Sequence, residues 1–82
     1  MNQYMTELVN LKPHDEIQSI TNRALDKGYP LITTAGHGYL VVPKGDKNYS
    51  KALQIVSYGY KGELAIYLEE DCEAGEFLDK LD

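Results

Sequence analysis

Tryptophan is absent, and Cys72 is the only cysteine, so no disulfide can close within the chain. One thiol and two histidines, His14 and His37, are too few for a Cys/His structural zinc site. Basic residues are scarce. Eight Lys and Arg stand against thirteen Asp and Glu, giving a formal net charge of -5. Phosphate recognition rests on Lys and Arg, so this balance argues against direct nucleic-acid binding. Long apolar runs are missing too. Tyr39-Leu40-Val41-Val42 has the length of a core strand and falls far short of the roughly 20 residues of a membrane span. The stretch from Met1 to Glu7 has neither a basic start nor a signal-like apolar segment, which points to the cytoplasm. No phosphate loop, dinucleotide fingerprint or Ser-His-Asp pattern occurs, so no cofactor and no catalytic set is expected.

What is present is an ordinary globular composition, 43% hydrophobic and 26% charged over 82 residues, expected to form a single domain over 1–82. Tyr4, Leu8 and Leu11 have helical spacing, though a short strand over 7–11 fits as well, and residues 1–12 are treated as a loosely ordered arm. From Asp15 to Lys27 the pattern predicts a helix. Asp15 serves as cap, Ile17, Ile20, Ala24 and Leu25 form one stripe, and Gly28 and Pro30 end it. Leu31–Ala35 and Tyr39–Val42 around Gly36-His37-Gly38 read as a hairpin. A short helix over about 48–53 follows, then a second hairpin of Ile55–Tyr60 and Glu63–Glu69 around Lys61-Gly62. Asp71 caps a last helix to about Leu81, with Ala74, Phe77, Leu78 and Leu81 inward and Glu73, Glu76 and Asp79 outward. The expected class is α+β: a four-stranded, mainly antiparallel sheet of two hairpins, with the N- and C-terminal helices packed on one face.

Charge is uneven along the chain. From Glu63 onward there are eight acids and a single base, Lys80, whereas the residues before carry five acids and seven bases. This is either a solvated face that keeps a small domain soluble or an acidic docking surface for a basic partner. Glu69, Glu70, Asp71, Glu73, Glu76 and Asp79 would supply that surface, with Tyr58 and Tyr60 as apolar anchors and His37 as a contact residue at a hairpin tip. Tyr39, Tyr58, Tyr60 and Tyr67 otherwise form a cross-strand cluster. Cys72 reads as a small packing residue. His37 offers an acid/base group near Glu69 and Asp71, but its flanking glycines are already explained by turn geometry. A metal held by His37 with the Glu69-Glu70-Asp71 run is disfavoured, because adjacent acids at a strand end point in different directions.

His37-Gly38-Tyr39-Leu40-Val41-Val42-Pro43, Ser57-Tyr58-Gly59-Tyr60 and Tyr67-Leu68-Glu69-Glu70-Asp71-Cys72-Glu73-Ala74 with Phe77-Leu78 together resemble a small family of uncharacterised bacterial, plasmid and phage proteins. The resemblance spans the second half of the chain. It departs at Gly59, between Tyr58 and Tyr60, and in the N-terminal segment. It carries over no catalytic residue and implies cargo of a mobile element. By analogy of size and charge, the expectation is a non-catalytic inhibitor of a host defence protein, such as an anti-CRISPR, in the host cytoplasm. It would dock on a basic, nucleic-acid-binding surface. The alternatives are a small enzyme using His37 and a self-associating subunit, a homodimer through a sheet edge or a Tyr face.

Overall fold

A computed structural model describes residues 2–11, 13 and 15–81. Lys12, His14 and Asp82, the last counted among the C-terminal acids, lie outside the described residues. In chain order the elements are α1 (Gln3–Asn10), β1 (Ile17–Asn22), a 3-10 turn (Ala24–Asp26), β2 (Pro30–Thr34), β3 (Gly38–Pro43), α2 (Tyr49–Ile55), β4 (Tyr60–Lys61), β5 (Ala65–Glu69), a π-helical turn (Glu70–Ala74) and α3 (Gly75–Asp79). The strands form one antiparallel sheet in the order β1-β2-β3-β5-β4. The class is α+β as expected, with five strands rather than four.

The fifth strand is β1, and it replaces the helix expected over 15–27. Ile17 and Ile20 do share one side, as a helix would require, but a register shift between Ile17 and Ser19 produces that sharing. An extra residue in the strand lets positions three apart face the same way. β-branched Ile17, Ile20 and Thr21 favour the strand, and Ser19 Oγ meets Thr33 Oγ1 across it at 2.7 Å. Leu25, assigned to the inward stripe, is exposed. The stop signal at Gly28 is real. Lys27 and Gly28 both take positive φ, 55° and 93°, and turn the chain from the 3-10 segment into β2.

Both faces of the sheet are covered, which corrects the single-faced arrangement. Leu31, Leu40, Val42, Ile66 and Leu68 face Ala52 of α2 and Ala74, Phe77 and Leu81 of the C-terminal segment. Ile32, Tyr39, Val41, Ala65 and Tyr67 face Leu8 of α1. The expected loose arm is therefore a docked helix, with Asn2 Oδ1 accepting from the Tyr4 amide at 2.7 Å and Leu8 fully buried. The first arm of the second hairpin is also shorter than expected. Ile55 ends α2, and only Tyr60–Lys61 pairs with β5. Among the described residues no helix is long and apolar enough to cross a membrane.

Candidate functional site

The segment before β4 carries too little strand pairing to hold itself, and a carboxylate holds it instead. Glu73 was expected to face outward, but it is 4% exposed. It stands four residues before Phe77 and so shares that helix side. Its Oε2 accepts from the amides of Ser57 (3.3 Å) and Tyr58 (3.0 Å). Its Oε1 accepts from the amides of Gly59 and, at the cap position, Glu69 (3.3 Å). Four N–H groups converge on one charge, and charge-assisted bonds of this kind are the stronger ones. Gly59 is needed here because a Cβ would run into the Tyr67 carbonyl and the Glu73 carboxylate. On the other sheet face Glu7 of α1 performs the same task, accepting from Glu63 N (2.7 Å), Leu64 N (3.0 Å) and Tyr67 Oη (2.6 Å). Burial and the neighbouring Glu7 push the Tyr67 hydroxyl well above its ordinary pKa.

This clamp holds Tyr58 as an exposed aromatic ring. At 72% it is the most exposed large hydrophobic side chain among the described residues. A cleft of about 250 Å³ beside it is lined by Ile55, Cys72 and Glu76. Tyr60, expected as a second anchor, instead packs inward with its ring 5.7 Å from Tyr39, in the cluster that includes Tyr67. Burial first, then Tyr60 and Glu69, raise the Tyr39 hydroxyl to about 12.

The acidic surface is smaller than the sequence implied. Glu70 is paired at 2.8 Å with Arg23, the only arginine of the chain, which also forks onto buried Asp26 at 2.7 and 3.0 Å. Glu76 meets Lys80 at 3.4 Å, both exposed, a contact of little weight. Lys27 Nζ donates to the carbonyls of Leu78 and Leu81 at the end of α3. Asp71, Glu76 and Asp79 remain exposed, and Glu69 is half-buried. Cys72, expected to be a packing residue, is exposed. Its thiol donates to Glu69 Oε1 at 3.3 Å, and that acid heads the causes raising its pKa, so the thiol is a poor nucleophile.

His37 sits at the β2–β3 turn, fixed by exchange with Thr34: His37 N donates to Thr34 Oγ1 (2.9 Å), and Thr34 N donates to His37 O (2.8 Å). Its Nδ1 meets Asp15 Oδ2 at 2.5 Å. Asp15, taken from the sequence as a helix cap, thus becomes the partner of His37 across 22 positions, a pairing no local pattern signals. The Asp15 hydrogen bond, and then the more distant Glu69 and Asp71, raise the His37 pKa, while His37 lowers that of Asp15. The ion pair is whole between the ordinary values of 3.8 and 6.5, weakens as pH rises through the raised His37 value, and weakens again as pH falls through the lowered Asp15 value. The His37 imidazole, followed by NMR, is expected to titrate above 6.5 and to move down in Asp15→Asn. A midpoint at or below 6.5 in the native chain contradicts this. Among the described residues no group of three or more His, Cys, Asp and Glu is placed to hold a metal. Compared with protein-family models, curated proteins and solved structures, the chain finds no match in any of the three.

Proposed function

We propose that this chain is a non-catalytic protein-binding module that docks on a basic, nucleic-acid-binding surface of a host protein, in the manner of an inhibitor carried by a mobile element. The observation that carries the reading is the position of Tyr58, a fully displayed ring on a loop whose amides are locked by Glu73. A backbone held this way has little freedom left to lose on binding, and Tyr is a favoured anchor at interfaces. Asp71, Glu76 and Asp79 supply the charge, with Glu69 behind them. Glu73 and Glu70 are reassigned, the first to the scaffold and the second to the Arg23 network. Tyr60, half-buried, packs against the core.

The test uses the immobilised full chain to capture partners from host lysate at low and high salt. Capture of a basic protein is expected to weaken with salt and to be reversed by added nucleic acid. Tyr58→Ala is expected to lower affinity at least tenfold, as is the triple Asp71→Asn, Glu76→Gln, Asp79→Asn variant, with circular dichroism unchanged. Variants that bind as well as the native chain, or capture indifferent to salt, would overturn the reading.

The enzyme reading keeps one observation in its favour: Asp15 on Nδ1 orients the His37 imidazole and leaves Nε2 unengaged by that contact. Its side chain is 41% exposed at a turn, where water has access. The binding reading therefore takes precedence.

A further inference from the structure

The sheet has two edges built in opposite ways. At one, β4 is two residues long and carries exposed Lys61, and the amides on either side of it are taken up by Glu73 and Glu7. Short length, a lysine and occupied donors are what keep an edge from pairing further. At the other, β1 runs six residues, Ile17–Asn22, without a charge or a proline, and among the described residues no strand lies on its outer side. Only the bulge at Ile17–Ser19 interrupts it, which leaves Ser19–Asn22 in regular pairing with β2. We propose that this outer edge pairs antiparallel with β1 of a second copy, across a two-fold axis that continues the sheet from one protomer into the other.

The choice of a second copy rests on self-complementarity. A two-fold antiparallel pair sets each residue against one of the same strand, so a charge within the strand would face a charge of its own sign nearby. The uncharged Ile-Gln-Ser-Ile-Thr-Asn segment avoids that conflict. Its flanks complement each other. Exposed Glu16 precedes the strand and half-buried Arg23, already bonded to Asp26 and Glu70, follows it, so antiparallel pairing about Ile20 sets ends of opposite sign, not like charges, toward each other. Ile17 and Ile20 are only partly buried against the α1-side cluster, and their counterparts would cover them. Tyr58 precedes β4, at the opposite edge, so this inference does not rest on the Tyr58 anchor proposed above.

The experiment is sedimentation of the full chain from micromolar to millimolar concentration, with hydrogen exchange on the same samples. Dimer formation with increasing concentration is expected, together with slowed exchange at amides within Ser19–Asn22. The Gln18→Lys, Thr21→Lys variant alters two exposed side chains and is expected to weaken the dimer at least tenfold with an unchanged circular dichroism spectrum. Tyr58→Ala is expected to dimerise normally, which separates failure here from failure of the binding reading. A native chain that stays monomeric throughout, or a dimer indifferent to both lysines, overturns the proposal.

Discussion

Glu73→Ala is expected to destabilise the fold by about 3 kcal/mol, since it removes the shared acceptor of four backbone amides at a position excluded from water. Hydrogen bonds to a charged group contribute about 1.5–3 kcal/mol each, but these four share two oxygens and the Ser57 and Tyr58 amides can rehydrate, so the sum is far from additive. For a domain this small the melting temperature should fall by roughly 12–24 °C. Glu73→Gln keeps one acceptor oxygen but turns an NH2 group toward donors, so an intermediate loss of about 1–2 kcal/mol is expected. Hydrogen exchange should locate the damage, with amides 57–59 exchanging faster well before the β3–β5 ladder does. A Glu73→Ala chain within about 0.5 kcal/mol of the native one would show that the clamp is dispensable, and with it the rigid display of Tyr58.

The way Glu73 was misplaced shows where sequence reading stops. Its position four residues before Phe77 puts it on the boundary of the apolar stripe, and a glutamate there reads as solvent-facing by default. Three of its four donors come from the loop of Ser57 to Gly59, distant in sequence, and only the Glu69 amide is local. Elements defined by local chemistry were legible: the hairpin around Gly36-His37-Gly38, the short middle helix and the apolar stripe of Ala74, Phe77 and Leu81. The two-faced burial is carried by the continuous apolar runs Tyr39-Leu40-Val41-Val42 and Ala65-Ile66-Tyr67-Leu68, because a strand covered on one side alone alternates with polar residues. β1 failed for the opposite reason. Its bulge gave a strand the spacing of a helix, and a bulge depends on the partner strand. At the site, Tyr58, His37 and the exposed acids carried local signals, whereas the contacts Asp15–His37 and Arg23–Glu70 exist only once the sheet has formed.

The lone arginine should separate stability from binding. Arg23→Leu leaves Asp26, whose side chain is 2% exposed, as a buried carboxylate without the fork that neutralises it. Removing one partner of a buried pair is far more damaging than replacing both, because the remaining charge keeps its desolvation penalty. Arg23 is itself 35% exposed, which lets water relieve part of that penalty, so a loss of about 2–4 kcal/mol is expected in denaturant unfolding. The double variant Arg23→Leu, Asp26→Leu should recover to within about 1 kcal/mol of the native chain. The single variant also releases Glu70, next to exposed Asp71, and raises the negative charge of the proposed docking surface. Capture of a basic partner at low salt should therefore tighten in Arg23→Leu under conditions where the weakened fold is still fully populated, and the gain should vanish at high salt. A stability loss without that gain would place Glu70 outside the binding surface. A gain that persists at high salt would show that the surface does not work through charge.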